Sequence, residues 1–544
     1  MLSYFDESKF LLLIEFIENN EPNIRQRALT GLILALLAYD KRIVCYPDLH
    51  NRLYALSLDE SIAPEVELVL FQLLMARETE RINREFEEEV LPEMKKMMPR
   101  IEDKLQLGDK AEDDDMEGRN PDWKGMVDEV PGLFEKIEKF SKLQIEGGDV
   151  FMSTFQLLKR FDFFNYMSNW FMPFHRDHPE IRKSFSDNED INNRLIDSLE
   201  KAFYICNSDK YSFALNFLSI PAQQRTMIVT NFEAEFNQMQ ELASVEQSLD
   251  NSLVSNSIFI QYIQDLYRFF KLYPSRQEYT DIFQEKIGIS KLYFYRKFFC
   301  REGYTLRLAS FYFEKERYYE AIEMYEYIIE SSSPCGEYYE KIGYSYQKLG
   351  RFRKAVENYK MAELFDTDRL WILKKLGWCC LKLKEYEQAH GYFREACGLQ
   401  PDDLVLQGQV AQCYLNLKDY EQAEQVYVKL RFFNPDSLKL LRPLAYCHFV
   451  LGRIIQAESD YSELLTLLPE PSAYDLMNAG HTQLCTGNRS KALELYRRSL
   501  NQKTPGLEEL IAAFDEDINY LVRNGIAAEE IPLIRDFLLF QSET

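Results

Sequence analysis

The stretch WILKKLGWCCLKLKEYEQAHGYFREACGLQP occupies residues 371–401, and VLQGQVAQCYLNLKDYEQAEQVYVKLRFFNP follows at residues 405–435. The two stretches align at an offset of 34 residues, so that Ala389 corresponds to Ala423, and an aromatic residue follows each alanine four positions later. This period is that of a two-helix unit that cannot bury its apolar face alone and stacks on copies of itself. The sequence therefore predicts an α-α solenoid in the C-terminal half.

The same pattern extends in both directions from this stretch. Six alanines recur at intervals of 34 residues with a last interval of 35, at Ala321, Ala355, Ala389, Ala423, Ala457 and Ala492. Small residues also recur in the first helix of each unit, at Ala309, Gly343, Gly377, Ala411, Ala445 and Gly480. Small side chains let the paired helices approach closely, and we expect the aromatic residue to fill the space beside them.

Turn and closing residues complete each unit. Glycines mark three turns between helices, at Gly350, Gly452 and Gly487. An aromatic residue follows four of the turns, at Tyr318, Phe352, Tyr386 and Tyr420. Prolines stop three of the second helices, at Pro401, Pro435 and Pro469. Over about residues 302–504 this pattern resembles the tetratricopeptide repeat family. The resemblance implies a superhelix that binds polypeptides in a concave groove lined by the first helix of each unit.

Carrying the family's groove positions over to this chain gives a set of candidate peptide-binding residues. They are Lys341, Tyr344, Trp371, Lys374, Lys375, Trp378, Gln409, Gln412, Lys439, Arg442 and Tyr446. Cations and aromatics together would suit an acidic or C-terminal peptide segment. The two-carboxylate clamp of chaperone-binding members is matched only loosely, since Trp378 and Pro443 stand where that clamp has Asn and Arg. The alternative is that these lysines only solubilise an exposed face.

The rest of the chain is also predicted to be helical. Residues 8–37 resemble a HEAT repeat, with Pro22, Ile24-Arg25, Ala28 and Leu32 in the order of its second helix. The aromatic segment 160–175 is interpreted as a core helix with Phe161, Phe164, Met167 and Phe171 on one face, or alternatively as a partner-binding or membrane-dipping surface. The predicted regions are 1–105 (HEAT-like), 106–129 (acidic linker), 130–300 (α-helical), 301–504 (six repeats) and 505–544 (capping helices).

Composition limits the classes of partner. Acidic residues outnumber basic ones 88 to 64, giving a formal net charge of −24 that disfavours binding to nucleic acid or anionic lipid. The longest apolar stretch, residues 29–39, is too short to span a bilayer. The ten cysteines form no Cys-x-x-Cys pair and no compact framework, as expected of reduced thiols. The sequence favours a cytoplasmic protein without a membrane span.

No motif for chemistry stands out. The sequence has no phosphate-cradling glycine loop, no H-E-x-x-H and no G-x-S-x-G, so we expect no catalytic residue, cofactor or metal. His175 and His178 are interpreted as a surface turn, and the periodic Cys379, Cys413 and Cys447 as apolar fillers. The favoured function is an interaction scaffold. The alternative is an enzyme or a regulatory subunit with its site in residues 130–290.

Overall fold

The computed structural model describes residues 4–90, 92, 139–141, 143–144, 147–150, 152–185, 190–217, 219–247, 253–284, 287–331, 333–365, 367–502 and 504–543. Throughout these ranges the chain forms helices, and no β-strand occurs among them, which confirms the predicted all-α solenoid class. The chain divides into two compact units, Met1–Leu308 and Ala309–Thr544. The five-region division stays a prediction, and its linker at 106–129 lies outside the described residues.

The first unit contains eleven described α-helices and the start of a twelfth. They are α1 (Glu7–Ile17), α2 (Pro22–Tyr39), α3 (Pro47–Ser57), α4 (Ile62–Arg77), α5 (Thr79–Glu89), α6 (Met152–Gln156), α7 (Pro179–Ser184), α8 (Asp190–Lys201), α9 (Asn207–Phe217), α10 (Ala222–Gln247), α11 (Leu253–Leu272) and α12 (Glu302–Glu314). Helices α1 and α2 pack as a pair, and α4 packs on both α2 and α11. The HEAT-like character of this region stays a prediction.

The aromatic segment at 160–175 is not the helix that the sequence predicted. It forms two 3-10 turns, Asp162–Asn165 and Met167–Trp170. Two backbone carbonyls of the segment are hydrogen-bonded by side chains instead of by backbone N–H groups. Trp170 Nε1 donates to Phe164 O at 2.8 Å, and Asn169 Nδ2 donates to Phe163 O at 2.8 Å.

The predicted buried face of this segment is also corrected. The aromatic side chains that are buried are Phe163, Phe164, Trp170 and Phe174, whereas Met167 is exposed and Phe161 and Phe171 are half-buried. The interpretation as core holds for these four side chains. The α-helical period of three to four residues predicted the wrong set of buried residues, because the backbone turns more tightly than an α-helix here.

A cluster of buried charges joins four segments of the first unit. The Arg268 guanidinium on α11 contacts the Asp149 carboxylate at 2.5 and 3.0 Å and the Asp209 carboxylate at 2.5 and 2.9 Å. Lys159 Nζ lies 2.7 Å from Asp209 Oδ1. All four side chains are almost fully buried. Each charge is therefore compensated by an opposite one, which is the condition for keeping charges in a protein interior.

The second unit is a regular array of helix pairs followed by two further helices. After α12 come α13 (Tyr318–Ser331), α14 (Gly336–Lys348), α15 (Phe352–Ala362), α16 (Arg369–Lys382), α17 (Tyr386–Leu399), α18 (Leu404–Asn416), α19 (Tyr420–Phe433), α20 (Leu438–Val450), α21 (Ile454–Leu467), α22 (Ala473–Cys485), α23 (Arg489–Leu500), α24 (Leu507–Arg523) and α25 (Glu530–Glu543). Helices α12 to α23 form the six repeats, numbered 1 to 6, and in repeats 2 to 6 the helices of a pair pack most closely on each other.

Small and aromatic residues meet inside each pair, as predicted. A Cβ atom added to Gly377 would come within 2.7 Å of the Phe393 ring, and one added to Gly343 within 2.8 Å of the Tyr359 ring. The alanine of the second helix is fully buried in all six repeats. The absence of a side chain at the glycine therefore creates the space that the aromatic ring fills.

The turn between the two helices needs one residue with a left-handed backbone. The residues with positive φ in the six turns are Glu316 (57°), Gly350 (70°), Lys384 (61°), Lys418 (62°), Gly452 (77°) and Gly487 (85°). Three of these positions carry the glycine that this conformation favours, and three carry a side chain that it disfavours. The conformation therefore follows from the repeat geometry, and residue preference only adjusts its cost.

The turns allow a matched pair of stability predictions. Lys418→Gly should raise the free energy of unfolding of the array by about 1 kcal/mol, because it removes a left-handed Cβ. Gly350→Ala should lower it by about 1 kcal/mol, and this loss is purely conformational because nothing lies within 4 Å of the added Cβ. Urea unfolding followed by circular dichroism measures both. Equal shifts of the same sign would contradict this account of the turns.

Candidate functional site

The candidate groove residues lie on the first helices of repeats 2 to 5. Helix α14 carries Lys341 and Tyr344, α16 carries Trp371, Lys374, Lys375 and Trp378, α18 carries Gln409 and Gln412, and α20 carries Lys439, Arg442 and Tyr446. Lys439 and Arg442 are exposed, and the other nine are half-buried. A side chain that is half-buried on its own helix can still present one face to a ligand.

Three of the candidate cations are already paired within the array. Lys341 Nζ lies 2.9 Å from Glu337 Oε1, and Lys374 Nζ lies 3.0 Å from Asp403 Oδ2. Hydrogen bonding to Lys374 helps to hold the pKa of Asp403 below its ordinary value, although its partial burial, the largest influence, acts in the opposite direction. The basic stripe expected from the sequence is thus partly neutralised by neighbouring carboxylates.

Arg442 is the third paired cation. Its Nε and Nη2 atoms donate to the two carboxylate oxygens of Asp475 at 2.6 and 2.8 Å. Asp475 is buried and also accepts from the Ser472 hydroxyl in the capping box that begins α22. This two-pronged pairing occupies the Nε–Nη2 edge of the guanidinium, one of the two edges that can bind a ligand carboxylate.

Aromatic rings form a repeating feature along the first helices. At three junctions the first aromatic residue of a second helix meets an aromatic residue of the next first helix, edge to face. The three pairs, which we call the aromatic platforms, are Tyr318–Tyr344 at 6.4 Å, Phe352–Trp378 at 5.5 Å and Tyr420–Tyr446 at 6.2 Å between ring centroids. Such pairs offer rigid apolar area at small entropic cost.

Lysines lie over the first two aromatic platforms. Lys348 Nζ is 5.4 Å from the centroid of Tyr344, and Lys382 Nζ is 5.2 Å from that of Trp378. Lys375 Nζ lies 5.2 Å from the centroid of Tyr344 in the first platform and 5.0 Å from that of Trp371, which belongs to neither platform. These contacts hold the ammonium groups over the ring faces.

The third platform is covered by α24. Tyr446 Oη donates to Asp517 Oδ1 at 2.7 Å, and the Tyr520 and Tyr420 hydroxyls are 3.1 Å apart. Asn524 Nδ2 donates to Phe449 O at 2.9 Å. Helix α24 therefore lies against the first helix of repeat 5 as well as that of repeat 6, and its residues occupy this end of the predicted groove.

A cavity of about 420 Å³ remains beside α24. Its lining comes from the first helices of repeats 4, 5 and 6 and from α24, and includes Gln412, Lys439, Arg442, Tyr446, Tyr474, Asp475, Asn478, Glu516 and Asp517. Three carboxylates face two cations here, so this end of the groove is not basic. The structure thus brings four of the candidate residues together at the cavity and places the lysine–aromatic candidates at repeats 2 and 3.

Family models match the array directly. Two models described as tetratricopeptide repeat match residues 336–363 and 380–445. The C-terminal array consists of tetratricopeptide repeats. Such repeats bind protein partners, and their fold is typically non-catalytic. A comparison with curated protein sequences gave no significant match.

Solved structures similar to this chain include three bacterial proteins. The C-terminal part of a tetratricopeptide repeat-containing protein from Cytophaga hutchinsonii is 18% identical, with 44% of this chain and 95% of that chain covered, at a TM-score of 0.33. PilF from Pseudomonas aeruginosa is 18% identical, with 40% of this chain and 97% of that chain covered, at a TM-score of 0.31. MamA from Desulfovibrio magneticus RS-1 is 16% identical, with 30% of this chain and 92% of that chain covered, at a TM-score of 0.29.

The histidines of the 175–178 turn and the periodic cysteines have structural roles. The His175 and His178 rings accept backbone N–H groups of Asp177 and Glu180 at 3.3 and 3.2 Å, which stabilises the turn that begins α7. Burial raises the pKa of the periodic thiols Cys379, Cys413 and Cys447 to about 12. Within the described ranges no three His, Cys, Asp or Glu residues are grouped as metal ligands, and no helix is both long and apolar enough to span a membrane.

Several residues of the site were not predicted from the tetratricopeptide pattern. The Tyr318, Phe352 and Tyr420 rings were visible as a periodic aromatic, and their spacing to the groove residues could have indicated the platforms. Asp517 and Tyr520 carry no such signal, because α24 lies outside the period. Only the tertiary structure shows that this helix turns back onto the array.

Proposed function

We propose that this protein is an interaction scaffold that binds a polypeptide segment of a partner along the first helices of repeats 2 to 4. The two aromatic platforms with lysines over their rings, Tyr318–Tyr344 and Phe352–Trp378, carry this proposal. Tyrosine and tryptophan are enriched among the residues that dominate binding energy at protein interfaces, and the lysines add charge-assisted hydrogen-bond donors. The binding surface ends where α24 covers the platform of repeats 4 and 5.

The chemistry of this surface favours an acidic ligand. Lys348 and Lys382 are exposed, and Lys375 lies over the Tyr344 ring of the first platform. Charge-assisted hydrogen bonds from these ammonium groups would recognise carboxylates, while the rings would take apolar side chains. Arg442 contributes less than the sequence suggested, because its guanidinium is already bound to Asp475.

The alternative of an enzymatic site in residues 130–290 is less well supported. Among the described residues of this region, the best candidate for such a site is the cluster of ionisable side chains Lys159, Asp209, Arg268 and Asp149. Its charges compensate one another and join separate segments. This arrangement suits a structural role.

Affinity purification from native cells tests the scaffold proposal. Trp378→Ala should reduce recovery of the native partner at least tenfold, about 1.4 kcal/mol, because it removes the larger ring of one platform. Quantitative mass spectrometry of the captured proteins measures the ratio to wild type. Circular dichroism of the variant should show an intact array, since Trp378 is only half-buried.

Phe432→Ala is the matched control for this experiment. Phe432 is an aromatic residue at the end of the second helix of repeat 4, 81% exposed, and away from the platforms. Its removal should leave partner recovery unchanged. If both variants recover the partner like wild type, the partner binds elsewhere and the proposed groove is wrong.

A further inference from the structure

Helix α24 shows how this groove accepts a helix. Its sequence LEELIAAFDEDINYLVR is acidic and amphipathic, and its buried residues are Leu510, Ile511, Phe514, Asp517 and Leu521. This is the spacing of three, four and seven residues by which an amphipathic helix anchors itself in an apolar groove. The chain therefore contains one groove-bound acidic helix of its own.

Two residues of α24 recognise the third aromatic platform. Asp517 accepts from Tyr446 Oη, and the Tyr520 ring lies 5.9 Å from the Tyr420 ring and 6.5 Å from the Phe449 ring. The two are three residues apart, so they lie on one face of the helix. An acidic residue followed at the third position by an aromatic is thus the motif that fits a platform.

The first two platforms repeat the edge-to-face ring pairing of the third, although Phe352 and Trp378 have no hydroxyl for an aspartate or a tyrosine to contact. A second difference lies four residues after the aromatic residue of the first helix. Val450 follows Tyr446 by four residues and is buried. At the same position of the earlier repeats stand Lys348 and Lys382, both exposed, each with its ammonium over the platform ring. A helix bound there would meet a cation where α24 meets a valine, which increases the preference for a carboxylate.

We propose that the partner segment is an acidic amphipathic helix, seated on the platforms of repeats 1 to 3 as α24 is seated on that of repeats 4 and 5. This inference rests on the proposed function. The two platforms lie one repeat apart along the array, and seven residues of a helix advance about 10.5 Å and return to nearly the same face. The partner helix therefore carries two Asp-x-x-Tyr-like motifs, seven residues apart, one for each platform.

A designed peptide tests this geometry on the full-length protein. The probe is a fluorescein-labelled, alanine-rich helix of 20 residues with two Asp-x-x-Tyr motifs seven residues apart. The control peptide has the second motif moved by two residues, which rotates it about 200° around the helix. Fluorescence anisotropy should give a Kd at least tenfold lower for the probe than for the control peptide, and the difference should shrink as salt rises.

Protein variants locate the bound probe. Lys348→Glu/Lys382→Glu should weaken probe binding at least tenfold. Lys354→Glu is the matched control, because Lys354 is also an exposed lysine over a tyrosine ring, 5.2 Å from Tyr346, but on a second helix. It should leave the Kd unchanged.

Each other outcome overturns the inference. Equal affinity for the two peptides would show that the seven-residue spacing is irrelevant. A change with Tyr446→Phe but none with Lys348→Glu/Lys382→Glu would show that the probe displaces α24 instead. If Trp378→Ala loses the native partner while the probe fails to bind, the helical occupant is wrong and the groove stands. If Trp378→Ala keeps the partner, the proposed function itself fails.

Discussion

The Arg268→Met variant should lose about 3–5 kcal/mol of unfolding free energy in the first unit. Methionine fills much of the same volume but removes the guanidinium that both the Asp149 and the Asp209 carboxylates contact. In the wild-type protein burial acts to raise the pKa of Asp209, and Arg268 and Lys159 together outweigh it and hold the pKa below its ordinary value. Chemical unfolding monitored by circular dichroism measures the loss.

The pH dependence of this loss has a definite sign. Without Arg268, burial should raise the pKa of the remaining carboxylates above their unfolded values. A group with a raised pKa in the folded state stabilises the fold at low pH and loses that contribution as the pH rises through the folded pKa. The deficit of Arg268→Met relative to wild type should therefore shrink between pH 7 and pH 5.

Two further variants control this experiment. Arg176 also contacts two carboxylates, those of Asp197 and Glu200, but its side chain is 45% exposed. Arg176→Met should cost less than about 1 kcal/mol, because water solvates the charges that remain. Adding Asp149→Asn to Arg268→Met should restore part of the stability. Equal losses for Arg268→Met and Arg176→Met would show that the buried cluster is not a structural element.

The second large effect is expected from Ala389→Asp in repeat 3. Ala389 is fully buried among the residues that pack α16 and α17 together. An aspartate there would bury an unpaired carboxylate and force the helices apart, at a cost of several kcal/mol. Gln388→Asp is the control, since Gln388 is exposed on the same helix and should tolerate the change.

Hydrogen exchange shows where the Ala389→Asp array opens. Repeats couple mainly to their nearest neighbours, so protection should fall most in repeats 2 to 4 and less in repeat 6. Exchange identical to wild type in all repeats would contradict the register that places Ala389 between two helices. A uniform loss over the whole array would contradict nearest-neighbour coupling.

The sequence by itself determined the repeat array and its internal packing. Ala389 is buried where its two helices pack together, Gly377 leaves space for the Phe393 ring, and Gly350 adopts the left-handed backbone of the turn. Each of these features lies within one 34-residue unit. Contacts between residues so close in the chain depend on local periodicity, which can be read directly. The groove residues on the first helices are implied by the resemblance to the tetratricopeptide repeat family, and their binding role stays a prediction.

The tertiary structure alone decided which of those groove residues are already bound to other side chains of the array and which remain available to a ligand. Arg442 is bound to Asp475, 33 residues away, and Tyr446 to Asp517, 71 residues away. These pairings depend on how successive repeats curve and on α24 returning to the array, and no periodic pattern encodes either. The 3-10 turns at 162–170 escaped prediction for a similar reason, because side chains of Asn169 and Trp170 take the carbonyls that a helix would use.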